Sequence, residues 1–260
     1  MARVRKLQQS PGWAFGTCIA VLEPLLAAMT RRSWVGGEKI PATQGCVIAA
    51  NHVSHLDPLL LGYFLLDHGR LARYLTKDAL FEVPLVGKVV RDAGQIPVSR
   101  ASTDAAKAFP AAVEAVNAGE CVVVYPEGTI TRDPTQWPMR GKTGAARIGL
   151  ATGCPVIPVG QWGAQELLPA YSARLKPFPR KRIYCQAGDP VDLTDFEDEP
   201  LTHDVLRQAT DRIMAAIAGL VGDLRGEEPP PERFDPRKHG VREIGNPRKA
   251  ERERRRRGVR

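Results

Sequence analysis

Short apolar runs that alternate with helix-like segments constrain the fold of this chain more than any other feature of its sequence. The runs are four to seven residues long, which is typical of buried strands, and the predicted strands are Cys46–Ala50, Arg73–Thr76, Gln95–Val98, Cys121–Tyr125, Pro155–Gly160 and Lys181–Ala187. The predicted helices are Pro58–Leu66, Val83–Asp92, a segment from Ser102 or Thr103 to Asn117, Lys142–Thr152 and Thr202–Val221. This alternation predicts an α/β fold with a mixed, largely parallel sheet flanked by helices, and ligand sites at the carboxyl ends of strands.

The N-terminal residues 1–33 predict a separate helical segment. Basic residues precede an apolar stretch from Trp13 to Met29, which Glu23 and Pro24 interrupt. A charge in the middle of a membrane span costs about 2.5–3.5 kcal/mol on insertion scales, which disfavours a spanning or cleaved segment. We expect an interfacial helix on an anionic membrane surface, which makes the protein peripheral or monotopic on the cytoplasmic side of the cell membrane. A buried helix without a membrane role is the alternative.

Most of the net positive charge of the chain lies in its C-terminal segment. The net charge is +8, but the residues from Val221 to Arg260 carry 13 Lys/Arg against 8 Asp/Glu, so a difference of +5 belongs to the last 40 residues. That segment is poor in apolar residues and contains three consecutive prolines, which predicts a disordered basic tail at 222–260. Residues 34–221 are left as the α/β domain, and their mild basicity makes nucleic acid an unfavoured partner.

The sequence carries no signature of a metal or nucleotide site. Its five cysteines lack the spacing of a zinc knuckle or a redox pair, and no Walker or dinucleotide-binding glycine motif follows a predicted strand. We therefore expect reduced thiols, no metal and no bound cofactor.

The densest polar cluster lies between the strand Cys46–Ala50 and the next helix. It contains Asn51, His52, Ser54, His55 and Asp57, and the turn between them allows the side chains of His52 and Asp57 to meet. A carboxylate that holds one imidazole nitrogen leaves the other free to accept a proton, as in a catalytic triad. Two alternatives remain: a metal held by the two histidines and the aspartate, and a structural turn in which Asp57 serves as the helix N-cap.

Four ordered blocks of this sequence resemble the glycerolipid acyltransferase family of PlsC-type 1-acylglycerol-3-phosphate acyltransferases. They fall at Asn51, His52, Ser54 and Asp57, at Gly94, Ile96, Val98 and Arg100, at Tyr125, Pro126, Glu127, Gly128 and Thr129, and at Val156–Val159. The likeness extends over residues 34 to 190 and includes Lys77 after the first block. It implies a fold similar to that of glycerol-3-phosphate acyltransferases.

The resemblance also implies a reaction and a role for each matching residue. His52 would act as general base and Asp57 would orient it, while Asn51 and Ser54 complete the first block near the substrate. Arg100 would bind the phosphate of lysophosphatidic acid, Glu127, Gly128 and Thr129 would shape that pocket, and Lys77 is a further phosphate candidate. The acyl donor would be acyl-CoA or acyl carrier protein, and the product phosphatidic acid, in phospholipid biosynthesis.

One departure from the family pattern affects the choice of acceptor. Ile130 stands where the family has an arginine, and Arg132, Arg140 and Lys142 are the nearby cations that could replace it. Another acceptor therefore remains an alternative: a lysophospholipid, glycerol-3-phosphate or a glycolipid. A non-catalytic membrane-binding protein is the alternative from a different functional class.

Overall fold

The described residues form one seven-stranded sheet flanked by helices. The computed structural model describes residues 4–98 and 108–242. In those residues the strands are β1 (Thr30–Val35), β2 (Cys46–Ala50), β3 (Ala72–Lys77), β4 (Ile96–Val98), β5 (Cys121–Val124), β6 (Val156–Trp162) and β7 (Lys181–Ala187). Their spatial order is β1-β7-β6-β2-β5-β3-β4, and every neighbouring pair is parallel except β6 and β7. The predicted mixed, largely parallel α/β fold is confirmed.

Seven α-helices accompany these strands in the described part of the chain. They are α1 (Gly12–Met29), α2 (Asp57–Asp67), α3 (Val86–Asp92), α4 (Ala108–Asn117), α5 (Gly144–Thr152), α6 (Ala164–Leu167) and α7 (His203–Arg225). The long helix α7 has the local signals that its sequence predicts at both ends. The Thr202 hydroxyl accepts a hydrogen bond from Val205 N at its start, and Gly226 ends it with a positive φ.

The two faces of β2 pack into two layers of the core. Val47 and Ala49 face the helices α4, α5 and α7, whereas Cys46, Ile48 and Ala50 face α2. All five residues are completely buried, because a central parallel strand is covered by helices on both sides. This burial fixes the carboxyl end of β2, where the polar cluster begins.

The N-terminal segment is one continuous helix followed by a strand. In the described part of the chain, α1 is the one helix whose length and apolar composition would suffice to cross a membrane, and only 17% of its residues are buried. The predicted boundary at residue 33 falls inside β1. That strand pairs with β7 along its whole length, from Thr30 opposite Lys181 to Val35 opposite Gln186, although the two strands are far apart in sequence.

The predicted start of the tail, at residue 222, falls inside α7. Helix α7 continues to Arg225, whose guanidinium group stacks on the rings of Trp137 and Trp162 at 4.2 and 4.6 Å. The following residues return to the domain, where Phe234 O accepts a hydrogen bond from Arg140 N and Asp235 pairs with the Arg140 side chain at 2.9 Å. These contacts hold the segment although it is poor in apolar residues. The arginine-rich residues 252–257 lie outside the described residues.

Candidate active site

The turn after β2 places the ring of His52 on the carboxylate of Asp57. Asp57 Oδ2 lies 2.8 Å from His52 Nδ1 and accepts hydrogen bonds from the backbone N–H groups of Val53 and Ser54 at 2.6 and 2.7 Å. Asp57 is completely buried. It is the first residue of α2 and bonds the turn that precedes it, so the expected N-cap is wrong and Asp57 instead holds the turn and the imidazole together.

The remaining ring nitrogen of His52 is available for chemistry. Because Asp57 occupies Nδ1, Nε2 is the atom that can accept a proton from a bound molecule. The imidazole is 14% exposed and stacks on Tyr125, with the ring centroids 4.4 Å apart. The carboxylate and the aromatic ring thus fix the orientation of the imidazole from two sides, which is the arrangement that a general base requires.

The buried carboxyl group of Glu127 is hydrogen-bonded to the backbone of His52. Its Oε1 accepts a hydrogen bond from His52 N at 2.9 Å, and its Oε2 accepts one from Met139 N at 3.1 Å. Only 2% of Glu127 is exposed, and burial raises its pKa to about 8 against the opposing effect of those two backbone N–H groups. Both oxygens of Glu127 are thus engaged by the backbone, and its expected role in shaping the substrate pocket stays a prediction.

Asn51 and Ser54 are likewise turned toward the backbone. Asn51 exchanges hydrogen bonds with the backbone of Gln161, which ties the end of β2 to β6. The Ser54 hydroxyl is buried and donates to Leu168 O at 2.7 Å. Both were predicted near the substrate, but their polar atoms are used to hold neighbouring segments in place.

A cavity of about 930 Å³ opens beside His52. Its wall is predominantly apolar and comes from α1 to α4; the main contributors are Phe15, Ile19, Leu22, Leu26, Leu59, Tyr63, Val89, Val90 and Phe109. Its volume lies in the range of small-molecule sites, and its apolar character suits a hydrocarbon chain. The four helices come from different parts of the sequence, and the alternation of elements did not predict that they share a cavity.

Cations line the same cavity as His52. Lys77, Lys142 and Arg147 belong to its wall, and in the described part of the chain neither lysine side chain forms an ion pair. Lys77 ends β3, and Lys142 lies against Gly128, whose φ is +70°. A Cβ atom at residue 128 would come within 3.2 Å of the Lys142 amine, so the glycine leaves room for that side chain.

The other candidate cations have different positions. Arg132 is buried with its guanidinium group 4.5 Å from the Tyr171 ring centroid, and burial lowers its pKa. Arg140 pairs with Asp235. Ile130 is buried, and Tyr171 donates a hydrogen bond to its carbonyl oxygen. Arg100 lies outside the described residues, so its predicted role stays a prediction.

Thr129 and His55 lie near Tyr171 at the edge of the site. The Thr129 hydroxyl is 3.4 Å from the Tyr171 hydroxyl, and the His55 ring meets the Tyr171 ring edge-on at 6.0 Å. Burial, together with nearby His52, lowers the pKa of His55 against the opposing effect of Asp57. Among the described residues, His, Cys, Asp and Glu side chains form no group that could hold a metal ion, so the alternative metal site of His52, His55 and Asp57 is not assembled.

Sequence reasoning missed the residues that shape the site through contacts between distant segments. The family pattern includes Tyr125 in the third block without indicating its role, whereas the structure stacks its ring on the imidazole of His52. Gln161 and Tyr171 were not singled out at all. One signal of the contact between Tyr125 and His52 is present in the sequence. Tyr125 directly follows β5, as the polar turn with His52 follows β2, and the two strands are neighbours in the sheet.

Comparisons with known proteins agree with this geometry. The family model described as Acyltransferase matches residues 32–162. A chloroplastic 1-acyl-sn-glycerol-3-phosphate acyltransferase of Brassica napus is 31% identical over 139 residues, 53% of this chain and 39% of the relative. The enzyme of the same name from Borreliella burgdorferi is 31% identical, covering 64% of this chain and 65% of the relative. The corresponding Bacillus subtilis protein is 25% identical, covering 70% and 85%.

The fold also has a solved counterpart. The crystal structure of the 1-acyl-sn-glycerophosphate acyltransferase PlsC from Thermotoga maritima matches 82% of this chain and 80% of its own, with a TM-score of 0.60 and 22% identity. This likeness concerns the fold. The chain spans about two fifths of the length of the Brassica napus relative. Because the family model matches half of its residues, including His52 and Asp57, the chain belongs to the acyltransferase family.

Proposed function

We propose that this protein transfers a fatty acyl group from acyl-CoA or acyl carrier protein to the free hydroxyl of 1-acyl-glycerol-3-phosphate, which yields phosphatidic acid for phospholipid biosynthesis. The observation that carries the proposal is the pairing of His52 with Asp57 at the wall of a large apolar cavity. A base next to a hydrocarbon-lined space fits a reaction between a lipid hydroxyl and an acyl thioester. The relatives named for this activity support the choice of acceptor.

The reaction proceeds by direct attack of the acceptor oxygen. His52 Nε2 takes the proton from the free glycerol hydroxyl, and the oxygen forms a bond to the thioester carbonyl carbon. Collapse of the tetrahedral intermediate breaks the carbon–sulfur bond, and the protonated imidazole returns its proton to the leaving sulfur. Asp57 stabilises the imidazolium that exists between these two steps. The ester and the free thiol are the products, and the scheme requires no metal or bound cofactor.

The cavity wall divides the substrates between two regions. The apolar side chains of α1 to α4 contact the acyl chains, and the cations Lys77 and Lys142 bind the phosphate of the acceptor. Lys142 is the best replacement for the family arginine at position 130, because Arg132 is buried against Tyr171 and Arg140 is paired with Asp235. Arg100 is expected to contribute to the same phosphate.

A membrane location follows from the lipid substrates and from α1. That helix exposes apolar residues to the outside and contributes Phe15, Leu22 and Leu26 to the cavity. It would rest in the leaflet from which the acceptor enters, so we place the protein on the cytoplasmic side of the cell membrane as a peripheral or monotopic protein. Its substrate partners are then the acyl donor and lipids of an anionic surface.

The main alternative is the same reaction with a different acceptor, and Ile130 favours it. Without an arginine at that position, the site could acylate another lysophospholipid, glycerol-3-phosphate or a glycolipid by the same chemistry. A non-catalytic membrane-binding protein is disfavoured, because the His52–Asp57 pair is intact and His52 lines the cavity.

The test is acyl transfer from radiolabelled acyl-CoA to a panel of these acceptors, with the wild type and His52→Ala side by side. We expect the wild type to prefer 1-acyl-glycerol-3-phosphate and His52→Ala to lose transfer while keeping its circular dichroism spectrum. A preference for another acceptor would select the alternative. Substantial transfer by folded His52→Ala would overturn the assignment of the base.

A further inference from the structure

Uncompensated positive charge collects at the sheet edge formed by β1 and the start of β7. We call this surface the basic edge; it comprises Arg31 of β1, Arg174 and Lys176 of the preceding loop, and Lys181 and Arg182 of β7. Four of the five are exposed and Lys181 is half-buried. Within residues 4–98 and 108–242, none of the five side chains forms an ion pair.

The strand register brings like charges directly opposite each other. In the parallel pairing of β1 with β7, Arg31 is the partner of Arg182, and Thr30 is the partner of Lys181. Like charges in a directly opposed cross-strand pair destabilise a sheet. An external anion that binds both guanidinium groups would remove this repulsion, so the register itself indicates an anionic partner.

Apolar side chains are exposed among these cations. In the loop before β7, Leu175 is 44% exposed and Phe178 is 74% exposed. An exposed aromatic and an exposed leucine between lysines and arginines are typical of a surface that meets a lipid bilayer, where apolar groups enter the acyl boundary and cations remain at the headgroups. A nucleic-acid surface needs the charge but not the exposed leucine.

The loop is fixed to the carboxyl end of α1. Arg180 donates hydrogen bonds to Ala27 O and Thr30 O, the carbonyl groups at the last turn of that helix and the first residue of β1. Leu25, two residues before Ala27 in the sequence, is 52% exposed. The basic edge and the apolar helix are therefore parts of one connected surface.

We propose that the basic edge binds the headgroups of an anionic lipid bilayer and thereby holds the carboxyl end of α1 at the membrane surface. The proposal extends the membrane location suggested above, but it does not depend on which acceptor is acylated. Helix α1 lines the cavity, so a bilayer contact at its end would keep the cavity next to the leaflet that supplies the lipid substrate.

The experiment is co-sedimentation of the full-length protein with vesicles of phosphatidylcholine, alone or with roughly one third phosphatidylglycerol. The double variant Arg174→Gln/Lys176→Gln removes two cations of the basic edge. Its matched control is Lys238→Gln/Arg242→Gln, which removes one lysine and one arginine that are exposed elsewhere. We expect the edge variant to bind anionic vesicles at least tenfold more weakly than the wild type, and the control to lose less than twofold.

Salt and vesicle composition distinguish this contact from the insertion of α1. Raising the salt to about 0.5 M should abolish the difference between the wild type and the edge variant, while all proteins bind neutral vesicles equally. Equal losses in the edge variant and its control would overturn the proposal. So would edge-dependent binding to duplex DNA without edge-dependent binding to vesicles.

A single substitution adds a readout that a purely structural role would not produce. Arg182→Gln should weaken binding to anionic vesicles yet leave the melting temperature unchanged or higher, because it relieves the repulsion from Arg31. Acyl transfer measured in detergent should be unaffected by it. An inactive wild type in detergent would count against the proposed function alone, whereas a lower melting temperature with unchanged vesicle binding would count against the basic edge.

Discussion

Asp57 and His52 form the central relationship of this structure: a completely buried carboxylate lies 2.8 Å from the Nδ1 atom of a histidine whose ring borders a cavity. The same carboxylate oxygen accepts two backbone N–H groups of the intervening turn. Asp57 therefore both shapes the turn and orients the base, so its mutation should affect stability as well as kcat.

Asp57→Asn should lower kcat by about 10²–10⁴-fold, because the imidazolium loses its carboxylate and the ring its fixed orientation. The matched control is Asp67→Asn on the same helix. Asp67 is also buried, but it accepts hydrogen bonds from Arg32 and Trp34 at 2.6 and 2.9 Å and is not part of the cavity wall. We expect the control to lose stability in urea unfolding and to keep its kcat. Equal losses of kcat in both folded variants would contradict an orienting role for Asp57.

Lys142→Gln should raise the KM for 1-acyl-glycerol-3-phosphate by about tenfold to a hundredfold, the loss of a charge-assisted hydrogen bond to phosphate. The KM for the acyl donor should change little, and Lys142→Arg should restore most of the affinity. Arg140→Gln serves as the control, since that guanidinium group pairs with Asp235. An unchanged KM in steady-state kinetics of Lys142→Gln would show that Lys142 does not bind the phosphate. Lys77 and Arg100 would then be the next cations to test.

Glu127 predicts a pH-dependent contribution to stability. Its folded pKa is about 8, above the ordinary value of 4.5, so the folded protein binds a proton that the unfolded chain releases between these two values. Stability from this group is therefore fully present below about pH 4.5 and declines up to about pH 8, with a limiting slope of about 1.4 kcal/mol per pH unit.

Glu127→Gln should remove that slope. We expect the free energy of unfolding of the wild type, relative to the variant, to fall as the pH rises from 5 to 8 and to level off above that. Urea denaturation at each pH measures both proteins under matched conditions. Parallel stability curves for the two proteins across this range would show that the Glu127 carboxyl group is not protonated on folding.

Gly128→Ala should cost about 1–2 kcal/mol of stability, because the residue has a φ of +70° and its new Cβ would press on the Lys142 side chain. Gly219→Ala provides a comparison of opposite sign. Gly219 lies inside α7 with nothing within 4 Å of an added Cβ, so the substitution should stabilise the helix by about 0.5–1 kcal/mol. Thermal unfolding measures both. A neutral Gly128→Ala would mean that Lys142 is not held by this glycine.

Sequence patterns predicted those features of the structure that depend on residues close to each other in the chain. The apolar run Cys46–Ala50 becomes a completely buried strand, and the residues between His52 and Asp57 form a turn that joins their side chains, as their spacing indicated. Apolar periodicity and a five-residue separation act within one or two elements. Neighbouring residues in the sequence are therefore enough to determine them.

Only the tertiary structure decided which side chains face the cavity. Sequence alone left Arg132, Arg140 and Lys142 equivalent, whereas packing buries the first against Tyr171, pairs the second with Asp235 and leaves the third on the cavity wall. It likewise buried Glu127 beneath the backbone N–H of His52, which the sequence did not indicate, and joined β1 to β7. These outcomes depend on contacts between residues distant in sequence, where burial and pairing partners are set by the whole fold.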